Sequence, residues 1–71
     1  MTHNLEIQHK YFTDISQGIK SFEIRRKNRN YKVKDILILK SLETNETIKK
    51  EIKDICDLSI YDIDHILILG I

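Results

Sequence analysis

The sequence predicts a mainly-β α+β domain, a small curled sheet or partial barrel closed by one short helix. Three observations carry this expectation. Isoleucine supplies 14 of the 71 residues, a β-branched excess that favours strands. Two unbroken apolar runs, Ile36-Leu37-Ile38-Leu39 and Ile66-Leu67-Ile68-Leu69, fit strands covered on both faces. Strand patterns outnumber helical ones, and residues 1–71 leave room for a single domain. A domain of this length buries only about 60% of its unfolded surface, so it holds one core and one shallow cleft.

The elements follow in chain order. His3 to His9 alternates, with Leu5 and Ile7 on one side together with His3 and His9, and Asn4, Glu6 and Gln8 on the other. Tyr11 to Gly18 reads as a short helix, because Tyr11, Phe12, Ile15 and Ile19 recur at three- and four-residue steps. Gly18 is placed to end it in the left-handed conformation, where the missing Cβ removes the steric cost. Lys20 to Arg26 alternates again, Phe22 and Ile24 against Ser21, Glu23 and Arg25. Residues 27–34 form a polar loop, and residues 35–42 form a strand around the first apolar run. Residues 43–57 admit two readings. Ile48, Ile52, Ile55 and Leu58 recur at helical spacing, whereas Glu43 to Glu46 could also be the turn of a hairpin leading to a strand. Asp57 to Asp64 is a connector with room for one helical turn, and His65 to Ile71 is a final strand.

The net charge of +1, from 12 basic and 11 acidic residues, argues against a general nucleic-acid coat. It conceals an asymmetry. Residues 19–34 hold seven Lys and Arg against Glu23 alone, a charge of +6, and residues 43–64 carry −4. The one cysteine, Cys56, precludes an internal disulfide and suggests a reducing compartment. No stretch approaches the ~20 apolar residues of a membrane span. The polar start, Met1-Thr2-His3-Asn4, lacks the layout of a signal peptide, so a cytoplasmic protein is expected. Three scattered His and one Cys show no ligand spacing, so no metal is expected, and with only two glycines there is no phosphate-cradling loop. No cofactor is expected. Cys56 reads as a small buried residue, and His9 and His65 read as structural.

The junction Gly18-Ile19-Lys20-Ser21-Phe22-Glu23-Ile24-Arg25 carries the pattern Gly-x-Lys-x-x-Glu-x-Arg after a short helix. In this it resembles the ASCH domain family, small β-barrels related to the PUA domain. The likeness extends to a subgroup of uncharacterised bacterial and phage ASCH-like proteins. It runs through His3, Leu5 and Ile7 in the first strand and Tyr11 and Phe12 in the helix. Arg29, Tyr31, Val33 and Asp35 match after Phe22–Arg25, and Leu69 and Ile71 match at the end. It departs at Lys34, where the subgroup usually has Gly, and at Asn28, where it usually has an acid. The resemblance implies a mixed β-barrel of about five strands with one helix after the first, and it implies that 47–56 is a strand paired with the one before.

A strand places Glu23 and Arg25 on one face. Arg25 can pair with Glu23 or fork onto a phosphate or base edge. Lys20 has the opposite parity and joins them only from the turn before the strand. Arg29 and Tyr31 add a cation and a stacking surface, the pair that unstacked bases favour. The plain alternative is that Glu23 and Arg25 are an ion pair that closes the barrel. Likewise His3 is either a ligand contact or a satisfied polar residue at the cleft edge, and Tyr11 and Phe12 are core or cleft wall.

Two functions are thereby expected. The resemblance implies an RNA- or nucleotide-binding module, with His3, Lys20, Glu23, Arg25, Arg26, Lys27, Arg29 and Tyr31 about a cleft between the helix and the 27–34 loop. It also implies, as the alternative, a small amidohydrolase acting on an acylated nucleoside such as N4-acetylcytidine. Its catalytic candidates are Lys20 and Glu23. In that branch of the family the place of Glu23 is held by Thr, and the later-strand Glu has only Glu51 as a candidate. A homo-oligomer, acidic half on basic half, is a third possibility.

Overall fold

In a computed structural model, all of residues 1–71 are described. The chain is α+β and mainly β. Strands β1 (Thr2–Ile7), β2 (Phe22–Arg26), β3 (Ile36–Ser41), β4 (Thr47–Glu51), β5 (Asp54–Asp57) and β6 (Ile66–Gly70) accompany one helix, α1 (His9–Ser16). A short 3-10 turn spans Leu58–Tyr61. The strands form two three-stranded sheets, ordered β1-β3-β4 and β2-β6-β5. β1 runs parallel to β3, and every other pairing is antiparallel. No helix is long and apolar enough to cross a membrane.

The two sheets share one corner. Ile52, fully buried, donates its N–H to the Asp35 carbonyl in the first sheet, and Lys53 donates to the Gly70 carbonyl in the second. One chain segment thus leaves one sheet and enters the other, the usual way of turning a sheet corner. This explains the helical spacing of Ile48, Ile52 and Ile55. Ile48 to Ile52 is two strand repeats, and Ile52 to Ile55 is odd because the parity slips at the corner. The same bend accounts for six strands where about five are expected.

The inner faces meet in one core: Leu5 and Ile7 of β1, Leu37 and Leu39 of β3, Leu67 and Leu69 of β6, and Phe12 and Ile15 of α1. The apolar runs in β3 and β6 are not covered on both faces as expected. They alternate, with Leu37 and Leu39 buried and Ile36 and Ile38 half-buried. The outer face of β3 is flanked by Asn4, Lys49 and Glu51, and long side chains such as Lys49 shade isoleucine without an added layer. The helix begins two residues earlier than its apolar pattern implies. A carboxylate from the β3–β4 hairpin, Glu43 Oε2, accepts from the His9 N–H at 2.7 Å. That partner is distant in sequence, so no local cap marks it.

A buried polar node fixes the start of both β1 and β3. Asp35 accepts from His3 Nε2 at 2.9 Å, from the Lys32 N–H at 3.0 Å and from the Met1 amino group at 3.1 Å. The His3 hydrogen bond foremost, with the amino group and the Lys32 amide, holds the Asp35 carboxyl at about 2, below its ordinary 3.8. Beside it Lys34 takes a left-handed φ of 77°, its N–H bonded to the Ile52 carbonyl at 2.7 Å. The tight turn therefore forms without the usual Gly, at a steric cost of about 1 kcal/mol.

Two outcomes follow for stability. Lys34→Gly should stabilise the fold by about 0.5–1 kcal/mol in urea denaturation, the relief of the left-handed strain exceeding the added chain entropy. A depressed carboxylate pKa contributes stability above pH 3.8 that disappears as pH falls towards 2. The wild-type protein should therefore lose stability across that window, and Asp35→Asn should be less stable at neutral pH yet flatter between pH 4 and 2. A variant curve parallel to wild type would remove this node from the account.

Candidate functional site

β1 and β2 are each hydrogen-bonded on one side only, and between them lies a seam, lined from both strands and crossed by Arg25. At the α1 end the seam opens into a cavity of about 640 Å³, a size usual for small-ligand sites. Its lining comes from Glu6, Ile7 and Gln8 at the end of β1, Tyr11 and Asp14 of α1, and Lys20 with Phe22–Arg25.

The turn after α1 sets the position of Lys20. Gly18 adopts φ 75°, and the N–H groups of Ile19 and Lys20 both donate to the Asp14 carbonyl, at 2.9 and 3.1 Å. Lys20 thus lies before the strand proper, as its parity requires. β2 then runs with reversed polarity. Glu23 is buried at 5% exposure, whereas Phe22 and Ile24 are 42% and 54% exposed. Buried charge is costly unless paired, and here it is paired twice. Glu23 Oε2 accepts from Arg25 Nη2 at 2.7 Å and Nε at 3.0 Å, and Lys20 Nζ stands 3.5 Å from Oε1. Arg25 Nη2 also donates across the seam to the Glu6 carbonyl at 2.9 Å. The Lys20 ammonium lies 4.4 Å from the Tyr11 ring centre and 5.1 Å from that of Phe22, within cation–π reach of both.

Beyond Arg25 the seam opens again into a cavity of about 300 Å³, lined by Leu5, Ile24, Arg25, Arg26, Asn28, Arg29 and Tyr31. The eight expected site residues therefore separate into groups. Lys20, Glu23 and Arg25 converge in the first cavity, and Arg25, Arg26, Arg29 and Tyr31 in the second. His3 lines neither. It is 3% exposed and serves the Asp35 node, with its ring 4.6 Å from that of Tyr31. Lys27 also lies outside both cavities and pairs with Asp57 at 2.6 Å. That hydrogen bond foremost, with the Ser59 amide, holds the Asp57 carboxyl at about 2.

Sequence reasoning missed Glu6, Gln8 and Asp14. Asp14 carried a usable signal, standing three residues after Tyr11 and so on the same helix face. Tyr11 and Phe12, read together as core or cleft wall, divide: Phe12 is core and Tyr11 is the wall. His, Cys, Asp and Glu side chains nowhere converge in a group of three that could hold a metal ion.

The arrangement offers a carboxylate and two cations on the floor of a cavity with aromatic walls. Its integrity rests on Glu23. Glu23→Gln removes the charge that offsets Lys20 and Arg25, and should destabilise the fold by about 2 kcal/mol in chemical denaturation. An unchanged midpoint would mean that the pairing contributes nothing to the fold.

Comparison with known proteins places the chain. It is 34% identical over 70 residues to the "Uncharacterized 12.9 kDa protein in GpA 3'region" of Escherichia phage P2. The match covers 93% of this chain and 64% of the phage protein, so the chain spans under two thirds of that relative's length. The family described as "Domain of unknown function (DUF3850)" matches residues 2–71, essentially the whole chain, and the protein belongs to that family.

Proposed function

We propose that this protein is an RNA- or nucleotide-binding module of the ASCH kind, and that the β1/β2 cleft receives an unstacked base. In this reading the two sheets are the halves of a PUA-like barrel left open at the β1/β2 seam. A reducing, cytoplasmic setting suits its free Cys56.

The observation that supports the reading most is the reversed polarity of β2. Turning Glu23 and Arg25 inward and Phe22 and Ile24 outward opposes the hydrophobic effect on both faces. Well-packed apolar residues often stabilise as much as a buried ion pair or more. Sequences break local rules of this kind mostly at functional sites. The geometry suits a base. Glu23 Oε1 and Lys20 Nζ offer an acceptor and a donor side by side, the complement of a base edge that pairs a donor with an acceptor. Tyr11 and Phe22 supply flat walls, and base–aromatic stacking contributes about 1–3 kcal/mol per base.

A test is an NMR titration with a short single-stranded RNA. The expected shifts fall on Tyr11, Lys20, Glu23 and Arg25, and Tyr11→Ala should weaken binding about tenfold. Affinity should fall steeply between 50 and 200 mM salt. Shifts confined to other surfaces, or an affinity indifferent to salt, would overturn the reading.

The amidohydrolase reading draws on one contact, the 3.5 Å approach of Lys20 Nζ to Glu23 Oε1. A Lys beside a carboxylate can do acid–base work. The later-strand Glu is missing from this site, because Glu51 lies exposed on the outer face of β4. Acetate release from N4-acetylcytidine, abolished in Lys20→Ala, would favour catalysis; no release favours binding alone.

A further inference from the structure

The two cavities along the seam differ in charge. The first mixes Glu6, Asp14 and Glu23 with Lys20 and Arg25, whereas the second has three arginines and no acidic residue in its lining. The arginines of the second cavity retain donors. Arg26 and Arg29 form none of the protein's ion pairs, which engage Lys20, Arg25 and Lys27 and, at Asp35, the Met1 amino group and His3. Arg25 uses Nε and Nη2 on Glu23 and Glu6, which leaves Nη1. Tyr31 adds a fourth donor. The residue is buried at 8% exposure and its phenol bonds to no protein group, yet no buried polar side-chain atom lacks a partner. The Tyr31 hydroxyl is therefore not fully buried, and the residue lines this cavity.

A site made of guanidinium, amide and phenol donors, with no carboxylate, selects an anion with several acceptor oxygens. Guanidinium forks match phosphate in particular. Arg25 lines both cavities, so a group held in the second is contiguous with one held in the first. We propose that the second cavity is the phosphate subsite of the cleft, so that the ligand class is a phosphorylated nucleoside, free or within an RNA strand, rather than a bare base or nucleoside. This rests on the base-binding reading of the first cavity.

The experiment measures, by calorimetry at 50 mM salt, the four ribonucleosides against their 5′- and 3′-monophosphates. At least one monophosphate should bind ten or more times tighter than its nucleoside. In the double variant Arg26→Ala/Arg29→Ala that ratio should fall towards one. Both side chains are exposed and outside the ion pairs, so the variant should keep the wild-type amide spectrum. Nucleosides that bind with no gain from any phosphate overturn the subsite and leave the base cleft standing. A gain that survives in the folded double variant places the phosphate elsewhere and also overturns it. If neither nucleoside nor monophosphate binds, both readings fall. A short RNA with a 5′-phosphate, compared with its 5′-hydroxyl form, separates the two sources. Tighter binding of the first assigns the subsite to a strand end. Equal binding of both, weakened in the double variant, assigns it to an internal phosphodiester.

Discussion

The guanidinium of Arg25 bridges β2 and β1, which no backbone ladder joins. On one side it holds Glu23, and on the other it donates to the Glu6 carbonyl. The sheets are joined covalently and by hydrogen bonds at the Ile52–Lys53 corner, so the opposite seam is where the two halves could part. Two free strand edges side by side would ordinarily pair or invite another strand. Here a side chain takes the place of the ladder, and the result is a cleft instead of a closed wall. The cleft is thus a consequence of how the sheets meet.

The Asp35 node plays a complementary part. β1 and β3 are parallel, so their pairing needs a long crossover, and that crossover contains α1, β2 and the basic loop. The His3–Asp35 bond ties the start of β1 to the C-terminal end of that crossover, just before β3. Every group proposed to touch a ligand belongs to β1 or to the crossover, so the node anchors the frame that carries them. His3 therefore bears on the cleft through the frame and not through contact, although the strand pattern places it with Leu5 and Ile7 on the inward side.

Much of this was legible in the sequence. Alternation located β1 and β2, and the unbroken apolar runs located β3 and β6, to within about two residues, while Gly18 marked the turn that brings Lys20 beside Glu23. What was not legible has two physical sources. Period-counting assumes a constant parity, and the corner at Ile52 breaks it, so a bent strand imitates a helix. Contacts between distant residues leave no local mark. The Glu43 cap on α1 and the Lys27–Asp57 pair each join positions more than 25 residues apart. The site was half legible, since spacing put Glu23 and Arg25 on one face. Which face pointed inward needed the partner strand, because a strand that buries its charged side reads from sequence like one that exposes it.

The charge asymmetry acquires a structural meaning. In the acidic segment Asp57 holds Lys27 and Glu43 caps the helix. Lys27, adjacent in sequence to Arg26, is thereby withdrawn from the cleft, while Arg26 and Arg29 stay free of ion pairs along the seam. A net charge near zero would give little long-range attraction for a polyanion, but local fields act within a Debye length of about 10 Å. Segregating paired charge on the β5 side and unpaired arginine along the seam makes the cleft attractive without making the whole surface basic. An anion at the seam would then meet free guanidinium donors beside the cavity that offers aromatic walls.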